Sequence, residues 1–98
     1  MLNDMKYVLY MNLNGNERIL ISSNVGDLIN YMFMIQQVLK SKFKVFEKLE
    51  NHELNEGETR ELLEKLGFKL IKVFSAREEV ISLNVVDIYV KYVFALVE

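Results

Sequence analysis

Alternating apolar and polar positions near the N-terminus predict a β-hairpin, in which KYVLYMNL and ERILISS flank the turn sequence NGN. A two-residue type I′ loop at Asn14-Gly15 pairs Met11 with Arg18 and leaves both faces of the hairpin partly apolar. A three-residue loop instead pairs Met11 with Ile19 and gathers the apolar side chains on one face. We expect the three-residue loop, because a single buried face suits a small α+β domain.

Apolar residues at alternating spacings of three and four predict a long helix over residues 25–50, with Lys42 as the one polar interruption. Asn24 and Asp27 are suited to capping its first turn. A straight helix of that length is about 39 Å long, whereas a domain of this size is about 33 Å across. The helix therefore either breaks near Ser41 or projects from the domain.

A polar connector, NHELNEGE, precedes a second, shorter helix predicted over residues 57–66. Asn55 and Glu58 can form a capping box at its start. Gly67 occupies the position where a left-handed residue ends many helices, and Phe68 can then fold back onto the last turn.

The segment FKLIKVF at 68–74 predicts a strand, and EVISL predicts a returning strand after a turn at SARE. The alternative is a helix capped by Ser75 and Glu78. We predict a second β-hairpin here.

The last stretch, NVVDIYVKYVFALVE, is compatible with a strand or a helix. Its β-branched and aromatic content favours a strand. Its polar residues, however, share one stripe at helical spacing, and they are Asn84, Asp87, Lys91 and Glu98. We predict a helix here. The whole chain, 1–98, is then one α+β domain of order β-β-α-α-β-β-α, with an antiparallel sheet covered on one face by helices.

The composition argues against catalysis and against a bound cofactor. The chain has no Cys and a single His, His52, so a metal site would depend on carboxylates. Its serines lack the context of a nucleophile elbow, and the acidic residues between 47 and 64 are typical of a solvated helical face. We therefore expect a protein that is not an enzyme and that holds no metal or cofactor.

The N-terminus and the longest uncharged stretch predict the cellular location of the protein. The N-terminus lacks the layout of a signal peptide. The longest interior stretch without charge, 28–39, is shorter than the roughly 20 residues that span a bilayer. We expect a cytoplasmic protein with no membrane partner. The abundance of Asn, Lys and Ile suits an AT-rich genome, such as that of a virus or mobile element, and an accessory role there.

A lysine patch, KSKFK, provides an alternative function. Lys40, Lys42 and Lys44 can contact phosphates, and Phe43 can stack on a base. The net charge of −2 opposes nucleic-acid binding, because domains that bind nucleic acid are generally basic. A nucleic-acid-associated regulator is therefore the second hypothesis.

The stretch YMFMI at 31–35 favours protein binding. Five consecutive apolar residues point all round a helix, and so short a chain has little material to bury them together with the C-terminal stretch. Methionine and aromatic residues are enriched at interface cores. We predict a protein-binding module that forms a homodimer and can also bind another protein. The residues expected at the interface are Tyr31, Phe33, Met34, Tyr89, Tyr92 and Phe94.

Overall fold

The computed structural model describes residues 5–42, 48–82 and 87–98. They form one five-stranded antiparallel sheet and two helices. The elements in chain order are β1 (Lys6–Leu13), β2 (Asn16–Ser22), α1 (Val25–Lys42), β3 (Lys48–Glu53), α2 (Glu56–Lys65), β4 (Leu70–Ser82) and β5 (Asp87–Val97). Across the sheet the strands follow the order β2-β1-β5-β4-β3.

The predicted order β-β-α-α-β-β-α is wrong, and so is the predicted C-terminal helix. The observed order is β-β-α-β-α-β-β, and the C-terminal stretch forms β5, the middle strand of the sheet. A strand in this place is covered on both faces and therefore has an almost continuous apolar sequence. Periodicity alone does not distinguish such a strand from a buried helix.

The hairpin turns through the two-residue loop, so the expected three-residue loop is also wrong. Asn14 and Gly15 have φ angles of 49° and 90°, as a type I′ turn requires, and Met11 pairs with Arg18. The Asn14 amide donates to the Tyr89 carbonyl at 2.9 Å, and the Asn14 side-chain oxygen accepts from the Tyr89 amide at 2.8 Å. The turn is thus tied to β5 as well as to its own strands.

The sheet is the middle layer between the two helices, which corrects the prediction that helices cover only one face. On the face that we call the α1 face, Leu28 of α1 packs with Leu9 and Phe94. On the opposite face, the α2 face, Leu63 of α2 packs with a cluster that includes Val8. Since consecutive residues of β1 serve opposite faces, both faces of the hairpin must be apolar. The two-residue loop satisfies this requirement.

Helix α1 begins at Val25 and ends at Lys42, next to the break expected near Ser41. A helix continuing to residue 50 is wrong, because residues 48–50 belong to β3. The side-chain oxygen of Asn24 accepts from the Gly26 amide at 2.9 Å and so caps the first turn. Asp27 is the acidic residue of that turn, where a negative charge is favourable.

Helix α2 confirms the predicted caps. The Asn55 side chain accepts from the Glu58 amide at 2.8 Å. At the other end, Gly67 has φ of 89°, and the Phe68 amide donates to the Leu63 carbonyl at 2.9 Å. Both ends follow from local hydrogen bonding, which explains why the sequence pattern predicts them.

The predicted turn at SARE lies within β4, and the first three residues of the predicted connector NHELNEGE belong to β3. Strand β4 continues through Arg77 and Glu78, which pair with β5 on one side and β3 on the other. His52 lies in β3 opposite Glu78. Polar residues persist in these strands because pairing on both sides of β4 satisfies the backbone irrespective of side-chain polarity.

Candidate functional site

The predicted interface residues of α1 divide between two flanks of the helix. Met34 is 52% exposed and Phe33 is 60% exposed, while Tyr31 is half-buried against the core of the α1 face. Asp27, Tyr31 and Met34 recur at i, i+4 and i+7 and therefore share one stripe. Phe33 is about 120° away from Asp27 around the axis and lies on the other flank.

The predicted interface residues of β5 have three different environments. Tyr89 is 56% exposed beside the hairpin turn. Tyr92 is half-buried and donates to the Glu79 carboxylate at 3.3 Å; burial, followed by the charge of Glu79, raises its pKa. Phe94 is only 6% exposed, and its ring centroid lies 5.2 Å from that of Phe74. Phe94 therefore belongs to the chain's own core and is not on the surface.

The lysine patch of the alternative function lies at the end of α1 and beyond it. Lys40 and Lys42 belong to the last turn of α1, and Lys44 lies outside the described residues. In the described part of the chain, no three His, Cys, Asp or Glu side chains come together as a metal site.

One edge of the sheet is open along β2, because no other described strand pairs with its outer side. The two-residue loop closes on the Leu13–Asn16 pair. That pair is hydrogen-bonded, and antiparallel pairs alternate along the hairpin from there. Glu17, Ile19 and Ile21 are therefore in non-hydrogen-bonded pairs with β1. The backbone N–H and C=O groups of Glu17, Ile19 and Ile21 consequently point outward. We call these three residues the open edge.

Two of the three side chains of the open edge, those of Ile19 and Ile21, are apolar and exposed. Ile19 is 41% exposed and Ile21 is 50% exposed, and both project on the α2 face because their pairing partners, Tyr10 and Val8, belong to the cluster there. The other end of the sheet is β3, whose sequence KLENHE carries three charged residues. Charged side chains protect an edge strand from pairing with another chain. Of the two edges, β2 is therefore the one suited to pairing.

Polar groups flank the open edge on both faces. On the α2 face, the Tyr10 hydroxyl donates to the Glu17 carboxylate at 2.6 Å. Burial first, and then this hydrogen bond, raise the pKa of Tyr10. On the α1 face, the Ser22 hydroxyl donates to the Asp27 carboxylate at 3.4 Å. This bond places Asp27, in the first turn of α1, beside the end of β2. Arg18 is exposed nearby on the same face.

Sequence reasoning missed Ile19, Ile21, Arg18 and Asp27 as candidate binding residues. The alternation of ERILISS was visible, but the expected loop placed both isoleucines on the single buried face. The two-residue register, whose φ angles the Asn-Gly pair favours, places them on the α2 face beside an edge.

Neither of the two described helices combines the length and the apolar composition that spanning a bilayer requires. Comparison with protein-family models, with curated proteins and with solved structures finds no match to this chain.

Proposed function

We propose that this protein is a non-catalytic protein-binding module that acts as a homodimer. One observation carries the proposal: two exposed apolar side chains, Ile19 and Ile21, lie on an open strand edge. Open apolar edges pair with other chains unless charge or shape prevents it, and exposed apolar patches mark interaction sites.

The expected dimer is weak, and its strength is estimated from these contacts. Full burial of an isoleucine side chain contributes about 1.5–3 kcal/mol. Burying the exposed half of Ile19 and Ile21 in both copies thus contributes about 4 kcal/mol. Four edge hydrogen bonds add about 4 kcal/mol, and association itself costs at least about 4 kcal/mol. These contributions leave about 4 kcal/mol, which corresponds to a dissociation constant of about 1 mM. Any contact made by α1 would strengthen the dimer, so we expect a dissociation constant between about 10 µM and 1 mM.

Light scattering coupled to size exclusion tests the proposal over a range of protein concentration. We expect the mass to rise from 11.6 kDa toward twice that value between about 1 µM and 1 mM. The variant Ile21→Lys should remain at the monomer mass with an unchanged circular dichroism spectrum, since its side chain is half-exposed. A wild-type mass of 11.6 kDa throughout this range would overturn the homodimer.

A further inference from the structure

We propose that two copies of this chain pair β2 with β2, antiparallel, about a twofold axis at Leu20, to form a continuous ten-stranded sheet. This inference rests on the proposed homodimer and specifies its geometry. An axis perpendicular to the sheet keeps the α1 faces of both copies on one side. The same surface then serves both subunits, as a closed twofold dimer requires.

The open edge determines which residues meet. The outward backbone groups belong to Glu17, Ile19 and Ile21, so only these residues of β2 can form hydrogen-bonded pairs with a partner strand. With the axis at Leu20, Ile19 pairs with Ile21 of the partner subunit, and symmetry repeats this pair. Four isoleucine side chains then form one cluster on the α2 face, and four backbone hydrogen bonds join the strands.

Other registers of the same edge are less favourable. An axis at Ile19 places Arg18 opposite Leu20 of the partner subunit and Glu17 opposite Ile21 of the partner subunit, so each charge faces an apolar side chain. An axis at Arg18 places two like charges directly opposite each other, which is destabilising. Among the axes at residues 18–21, the axis at Leu20 is the one that pairs Ile19, Leu20 and Ile21 all with apolar residues and opposes no like charges.

Charge complementarity on the α1 face supports the same register. With the axis at Leu20, Arg18 lies opposite Ser22 of the partner subunit. The Ser22 hydroxyl holds the Asp27 carboxylate at 3.4 Å within each chain. Arg18 is therefore brought to Asp27 of the partner subunit, and symmetry gives two such ion pairs.

A cysteine placed on the axis tests the register, because the natural chain contains no Cys. In an antiparallel non-hydrogen-bonded pair the Cα atoms are about 4.5 Å apart, within the range that a disulfide bridges. Leu20→Cys should therefore form a covalent dimer under mild oxidation. Ile19→Cys is the matched control, since its two copies are about 8 Å apart in this register, too far for a disulfide.

Amide hydrogen exchange of the unmodified chain provides a second test that does not depend on a substituted core residue. The amides of Ile19 and Ile21 point outward from the monomer, so they should exchange rapidly at low concentration. In the dimer they donate across the interface. Their exchange should slow at least about tenfold as the dimer population rises above 90%.

A charge swap tests the ion pairs. Arg18→Glu and Asp27→Lys should each weaken dimerisation about tenfold or more, because each replaces two attractive contacts with repulsive ones. The double variant Arg18→Glu/Asp27→Lys should recover most of the affinity. Phe33→Glu is the control on α1: it lies on the other flank and should leave the dissociation constant within about twofold.

The outcomes separate this inference from the proposed function. A chain that is monomeric at every concentration overturns both. A dimer in which the Ile19 and Ile21 amides still exchange rapidly overturns the β2 pairing and leaves the homodimer standing. Cross-linking of Ile19→Cys but not Leu20→Cys overturns the register. If Phe33→Glu is the one variant that abolishes the dimer, the subunit contact lies on the other flank of α1. That result likewise overturns the inference.

Discussion

Replacing Phe94 with alanine measures whether this ring is part of the core of the α1 face. Phe94 is 6% exposed and packs against Leu9 and Leu28. Its ring centroid lies 5.2 Å from Phe74 and 6.4 Å from Tyr7, and each such aromatic pair adds about 0.5–1.5 kcal/mol beyond area burial. Buried Phe-to-Ala changes cost about 3–5 kcal/mol, and two aromatic pairs place Phe94→Ala in the upper half of that range.

Urea unfolding followed by circular dichroism measures this loss at a low micromolar concentration, where dimerisation contributes little. A domain of this length has about 5–15 kcal/mol of stability, so the midpoint should fall strongly, with the m-value unchanged. Phe33→Ala is the matched control, because that ring is 60% exposed and its loss should change stability by no more than about 0.5 kcal/mol. If Phe94→Ala costs less than about 1 kcal/mol, or no more than the control, the packing described for this face is incorrect.

Two further predictions concern side-chain hydrogen bonds. Burial first, and then the hydrogen bond to Glu17, raise the pKa of Tyr10. The folding free energy linked to this proton is therefore fully present below about pH 10. It is lost as the pH rises through the pKa of the folded state. Tyr10→Phe should cost about 1–2 kcal/mol at pH 7 and reduce the alkaline decline of the urea midpoint; an equally steep decline would contradict this linkage. Asn55→Ala should cost about 1 kcal/mol, seen as a melting temperature about 4–8 °C lower, because the Glu58 amide loses its acceptor. Asn55→Ser should retain most of that stability, because serine also offers a side-chain oxygen to the Glu58 amide. If both variants lose the same free energy of unfolding, the capping hydrogen bond does not contribute to stability.

Local features of this protein follow from its sequence alone. Asn55, Glu58 and Gly67 predict both ends of α2 because caps involve residues within a few positions of one another. The start of α1 after Asn24 is predictable for the same reason. The hairpin's existence is also local, since Asn-Gly between alternating stretches favours a turn.

The hairpin's register depended on the rest of the fold. Local turn chemistry favoured the two-residue loop, but the choice between registers also required knowing how many faces of the sheet are buried. A chain with helices on both faces needs apolar residues on both sides of β1, and Val8 and Leu9 supply them. The same register places Ile19 and Ile21 on the open edge of β2. The sequence alone did not predict this candidate site, because it did not predict that helices cover both faces of the sheet.

Tertiary structure likewise determined whether the C-terminal stretch forms a helix or a strand. From sequence alone it was an apolar segment with a few polar residues, compatible with either a helix or a strand. Its place between β1 and β4 gives it a hydrogen-bonding neighbour on each edge and apolar packing on each face, which suits its β-branched residues. Caps and turns are determined by neighbours along the chain. Strand order, sheet coverage and open edges are determined by contacts between distant residues, whose free energy no local pattern reports.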